Sequence, residues 1–221
     1  MSNVNYLKIF VLCIIAAVCN AVLSFTLNGL LGIPLYLDTV FTAAICFSFG
    51  LLPSLFTAIV TSALFSLIYI NLRGFPVETV WTVFAFSICV ILEVLLISFF
   101  KPKIEPRKVI FLKKPIFQNF IGLCAPLLVL TALACITVSI AGGIINFIIT
   151  QFEIHSPAHP EDFFKLGLLR NNVPLLATNI LSRIPINIVD RFIVIFGGFG
   201  VSLLFKRLIK TPYHKLNIGL Q

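Results

Sequence analysis

Charge is what this sequence has least of. Asp, Glu, Lys and Arg make up 11% of its 221 residues, while 59% are hydrophobic and the mean hydropathy is +1.10. A soluble globular domain carries about 25% charged and about 45–50% apolar residues. A chain this poor in polar side chains cannot cover a water-facing surface, which excludes a soluble enzyme and also a disordered or fibrous protein. Motifs that carry chemistry are missing too. No Walker, GxSxG, HExxH or glycine-rich dinucleotide sequence occurs, so no enzyme activity and no cofactor is expected. Cys13, Cys19, Cys46, Cys89, Cys124 and Cys135 form no CxxC pair and all lie in apolar runs. There a cysteine behaves as a small hydrophobe, so no disulfide and no metal site is expected.

What the sequence does have is long apolar runs. A helix needs about 20 such residues to cross the hydrocarbon of a bilayer. Runs of that kind predict an all-α integral membrane protein with about six transmembrane helices in a single membrane domain, 1–221. The spans fall near 7–27, 39–51, 53–70, 79–100, 117–150 and 172–205. Gly50 and Pro53 divide the 39–70 run, whose first half is short enough to be tilted, kinked or shielded by its neighbours. The fifth span is long enough to project or to bend, at Gly122, Pro126 or the Ala141-Gly142-Gly143 cluster.

The net charge of +8 is a matter of placement. Segment 101–114 carries six Lys/Arg, and the tail 206–215 four more. Basic loops next to spans stay in the cytoplasm, so both segments belong inside, and an even number of crossings must separate them. Six helices with both termini cytoplasmic satisfy this, and nucleic acid is not an expected partner. The connections 71–78 and 151–170 fall outside. In the second, His155 and His159 have an HxxxH spacing, but Pro157 and Pro160 oppose the regular helix such a ligand pair needs, so a solvated loop is expected.

Polar residues inside spans need a reason, since a charge there costs about 2.5–3.5 kcal/mol. In the last run Asn179, Arg183, Asn187, Asp190 and Arg191 recur at intervals of three and four. On one continuous helix they fall within an arc of roughly 120°. Such a stripe faces a cavity, a ligand or partner side chains. In the structural reading Asp190 or Glu93 neutralises Arg191 and the asparagines bond between helices. In the functional reading Arg183, lacking an acid within a turn of its own helix, offers its guanidinium to an anion, flanked by Asn179 and Asn187. Asn146 of the fifth span is a further candidate. The loop GIPLYLDT (32–39) brings Tyr36 and Asp38 as an outer lid, or as an N-cap and interface tyrosine. Trp81 is a candidate contact or an interface-belt residue. In the first helix Ala17 and Ala21 form a small-xxx-small face that lets another helix approach.

Taken together, Ala17-xxx-Ala21, the GIPLYLDT loop, the Gly50/Pro53 break and the final Asn187-Ile-Val-Asp190-Arg191 resemble the substrate-binding S component of an energy-coupling factor (ECF) vitamin transporter, over about 7–210. The resemblance implies a multi-pass protein of the cell membrane that binds a small micronutrient at the outer face. It implies that the site is built from the first loop and helices four to six, here Tyr36, Asp38, Trp81, Asn146, Asn179, Arg183 and Asn187. It also implies docking through Ala17 and Ala21 on a transmembrane coupling subunit driven by two ATPase subunits. The competing classes are a transmembrane sensory or signalling domain and a self-sufficient secondary transporter. The latter often shows paired inverted repeats with broken helices, and no convincing pair is seen here.

Overall fold

The computed structural model describes residues 3–33, 35–73, 80–113, 116–152 and 162–209. Among them there is no strand. Helix α1 (Asn3–Ser24) runs into a π-helical turn (Phe25–Leu30). It is followed by α2 (Val40–Phe49), α3 (Leu51–Arg73), α4 (Val80–Lys113), α5 (Ile116–Phe152), α6 (Asp162–Arg170), α7 (Leu175–Leu181) and α8 (Ile184–Ile209). Five apolar stretches are long enough to cross a membrane: Tyr6–Leu27, Leu51–Ile68, Phe84–Ile104, Gly122–Gln151 and Leu175–Phe205. Their outer faces carry large apolar side chains at helical spacing, such as Ile136, Ile140, Ile144 and Ile148 on α5, all exposed. Exposed rows of that kind belong against lipid. The protein is a multi-pass, all-α membrane protein.

Side-chain pairings fix the direction of each pass. Asn20 reaches Thr42 near the start of α2, and Cys13 packs by Ile45 and reaches the Pro53 carbonyl just past the end of α2, so α1 and α2 are antiparallel. Arg191 meets Thr39 and Ser48 meets the Ser202 carbonyl, so α2 and α8 are parallel. Asn146–Asn179 and Asn187–Ser139 set α5 against α7 and α8. The passes alternate six times, but the second is not a full helix. With ten residues, α2 is about 15 Å long, half the hydrocarbon thickness. The chain that leads into it, residues 31–33 and 35–39, is irregular. The expected span 39–51 is therefore a half-helix.

Sequence explains why this short helix sits in the centre. VFTAAICFSF has no charged face, and seven of its ten residues are buried by α1, α3, α4 and α8. Gly50, at φ 94°, ends it in a conformation that a side chain would strain. Gly198 of α8 permits a close crossing with α2, since a Cβ there would stand 2.7 Å from that of Ala43.

Other boundaries differ from the sequence expectation. Segment 101–113 continues α4 as helix where a loop was expected. The connection 151–170 carries α6 where a loop was expected; His155 and His159 lie outside the described residues. Helix α5 runs unbroken through Ala141–Gly143. Those glycines serve packing: a Cβ on Gly143 would meet Ile180 at 2.5 Å.

Candidate functional site

The last apolar run is not one helix. Pro185 has no N–H to give the Leu181 carbonyl, and its ring crowds that carbonyl, so the chain turns at Ser182–Arg183 between α7 and α8. The expected single polar stripe is therefore divided. Asn179 lies on α7, Arg183 at the break, and Asn187, Asp190 and Arg191 on α8. All five still face the interior, as a column between α4, α5 and the first loop.

The deeper end of the column centres on Arg191, which is 4% exposed. Its Nη1 donates to Thr39 Oγ1 at 3.2 Å and to Glu93 Oε2, and its Nη2 donates to Asp190 Oδ2. Asp38 stands 3.8 Å from the same Nη2. Glu93 is 1% exposed and lies eight residues, about 12 Å, along α4 from Lys101. The cluster thus sits inside the helix bundle, with Asp38 at its edge. Asp190 also serves the backbone, because its Oδ1 accepts the N–H groups of Tyr36 and Leu37 at 3.0 and 2.9 Å. Leu37 has a positive φ of 41°, a conformation that needs such outside support.

Asn20 provides the matching support from α1. Its Oδ1 accepts the Phe41 N–H at 2.9 Å, and its Nδ2 donates to Thr42 Oγ1 at 2.9 Å and Thr61 Oγ1 at 3.5 Å. Irregular backbone survives at membrane depth only when its polar groups are satisfied inside the protein. Asp190 and Asn20 meet that requirement for the N–H groups of Tyr36, Leu37 and Phe41. Sequence reasoning passed over Asn20. The available signal was an amide in the middle of an otherwise apolar helix.

This geometry corrects the reading of Ala17 and Ala21. Both are buried, as are Cys13, Ala16 and Asn20 on the same face of α1. That face packs on α2 and α3 of the same chain, through Ile45, the Pro53 carbonyl, Thr42 and Thr61. Small residues are there so that Asn20 can reach the broken backbone. They offer no surface for a partner.

The outer end of the column is neutral except for Arg183. Asn146 Nδ2 donates to Asn179 Oδ1 at 3.0 Å, and Asn187 Nδ2 donates to Ser139 Oγ at 2.8 Å. Arg183 lies over the Phe86 ring, 5.1 Å from its centroid, and passes Gly142, where a Cβ would come within 3.0 Å of Nη1. The missing side chain at Gly142 makes room for the guanidinium. Asn179 is completely buried, and its Nδ2 has no hydrogen-bond acceptor among the described residues.

Two loop residues adjoin the column. Tyr36 is half-buried and joined to it by its backbone. Asp38 keeps 29% of its side chain exposed. It faces the same guanidinium that Glu93 and Asp190 hold. Trp81 is exposed at the first turn of α4, on the outer surface of the bundle. No group of three or more candidate metal ligands occurs among the described residues.

No protein family, curated protein or solved structure matches the chain.

Proposed function

We propose that the protein is the membrane-embedded capture subunit of an importer of the ECF type. In this reading it resides in the cell membrane with both termini in the cytoplasm. It binds a small anionic micronutrient from the outer side and works with a separate coupling subunit and two ATPase subunits. The observation that carries this reading is the Asn179 amide, a fully buried donor without an acceptor among the described residues, one turn before Arg183 at a helix break. A buried donor left unmade costs about 1–3 kcal/mol, so its retention calls for an acceptor from outside the chain. A carboxylate or phosphate supplies acceptor oxygens both for the amide and for the planar fork of Arg183, which the Phe86 ring holds in place.

The broken passes support transport of a solute. Half-helices and interrupted helices near the middle of the bilayer are the recurring means of placing backbone and polar groups around a transported molecule. Here both breaks, at 31–39 and at 182–183, face the same polar column. Since the Ala17/Ala21 face is internal, a coupling subunit would use another surface.

The test is purification in mild detergent followed by native mass spectrometry and affinity capture from membranes. One retained small anionic compound, with a multi-pass subunit and ATPases captured alongside, is the expected result. A chain that retains no small molecule, binds no anionic micronutrient and captures a kinase or phosphatase would contradict it.

A further inference from the structure

The charges around Arg191 do not balance. Three carboxylates, on Asp38, Glu93 and Asp190, surround one guanidinium, giving a formal charge of −2 if all are ionised. Asp190 and Arg191 come from α8, Glu93 and Cys89 from α4 and Asp38 from the first loop, with the thiols of Cys46 on α2 and Cys135 on α5 also within electrostatic reach. The α2 N-terminus, next to Thr39, adds only a partial positive charge. In surroundings of low dielectric such an excess is removed by taking up a proton or a cation.

The hydrogen bonds show which acid stays ionised. Asp190 accepts two backbone N–H bonds on one oxygen and an Arg191 donor on the other, so a proton on it would break a bond. Glu93 uses Oε2 for Arg191, while its Oε1, in a side chain that is 1% exposed, has no donor among the described residues. Asp38 Oδ1 also has no hydrogen-bond donor among them, and its side chain is the one acid of the three that reaches the outside.

We propose that this cluster is a proton-binding site, with Asp38 as the group that takes up and releases the proton. With Asp38 neutral, Arg191 is left to Glu93 and Asp190, and Asp190 keeps its hold on the backbone of Tyr36 and Leu37. With Asp38 ionised, a third anion competes for Arg191 Nη2, the same nitrogen that steadies Asp190. The proton thus sets how firmly residues 31–39 are held against α8. No metal ion is needed, because Arg191 already fills the space between the carboxylates.

A proton held on Asp38 in the folded chain, and released in the unfolded one, stabilises the fold at low pH, and that contribution is lost as pH rises and the carboxyl ionises beside Glu93 and Asp190.

The experiment measures the denaturation midpoint of the full chain in detergent from about pH 4 to about pH 7, for wild type and Asp38→Asn, in sodium and in choline chloride. Wild type should lose stability toward the upper end relative to Asp38→Asn, equally in both salts. Identical pH profiles for the two proteins would overturn the proposal. So would stabilisation by sodium alone, which would assign the cluster to a metal cation. Should Asp38→Asn fail to fold, infrared difference spectra of wild type and Glu93→Gln between about pH 5 and about pH 7.5 decide the matter. A protonated-carboxyl band present in both at the lower pH and lost at the higher supports Asp38; its absence from either refutes it. None of these readouts uses the importer's ligand, so a negative result here leaves the capture-subunit reading to its own test.

Discussion

The backbone of residues 36–41 enters the hydrocarbon without helical hydrogen bonds at its start, and two side chains from distant helices meet it. Asp190 takes the N–H groups of Tyr36 and Leu37, and Asn20 takes that of Phe41. Replacing Asn20 with Ala leaves the Phe41 N–H without its acceptor and takes a donor from the hydroxyls of Thr42 and Thr61, of which Thr61 keeps its bond to the Thr57 carbonyl. We expect Asn20→Ala to lower stability by about 1–3 kcal/mol and to reduce the yield of folded protein, as measured by denaturation and size-exclusion chromatography. The polar residues of the last run were legible as a group because each violates the composition around it. Their division of labour was not. Sequence could not show that Asp190 serves the backbone of a loop more than 150 residues away, nor that Asn187 spends its amide on Ser139.

At the scale of elements, hydropathy and length located the five stretches long enough to cross a membrane, but they did not reveal which helices are incomplete. A run from Thr39 to Ile70 reads as apolar whether its first half is a helix or an irregular strip held by side chains. The break within the last run had a visible cause in Pro185, whose effect on the Leu181 carbonyl is local and general. The alanines of α1 misled for the opposite reason. Small residues four apart permit a close approach without saying whether the partner is another protein or the next helix of the same chain. Both are buried, so Ala17→Leu or Ala21→Leu overfills the packing against α2 and α3. We expect each to destabilise the chain by about 1–3 kcal/mol. The check is a lowered denaturation midpoint in the isolated protein. A midpoint unchanged from wild type would return this face to the surface.

At the scale of the whole molecule, six alternating passes follow from the side-chain pairings, and the charges orient them. Eleven Lys/Arg lie on the side assigned to the cytoplasm (Lys8, six in 101–114 and four in the tail), against Arg73, Lys165 and Arg170 on the other. Reporter fusions after Lys114 and Lys210 should therefore read cytoplasmic, and fusions near Arg73 and His159 external. An external reading at Lys114 would reverse the orientation and place the Arg183 end of the column at the cytoplasmic face.

The central claim is that the Arg183 end of the column binds an anion, and the direct measurement is the affinity of purified variants for the compound that co-purifies with wild type. Arg183→Lys keeps the charge and loses the planar fork, so it should weaken binding, and Arg183→Ala should weaken it by at least about tenfold, or about 1.4 kcal/mol. Asn179→Ala removes the unmatched donor and should also weaken binding, while the Asn146 amide loses its acceptor, so stability falls by about 1–3 kcal/mol. Thermal denaturation recorded on the same samples separates lost binding from lost fold. A stable Arg183→Ala protein with wild-type affinity would contradict the account and leave the column as a purely internal support.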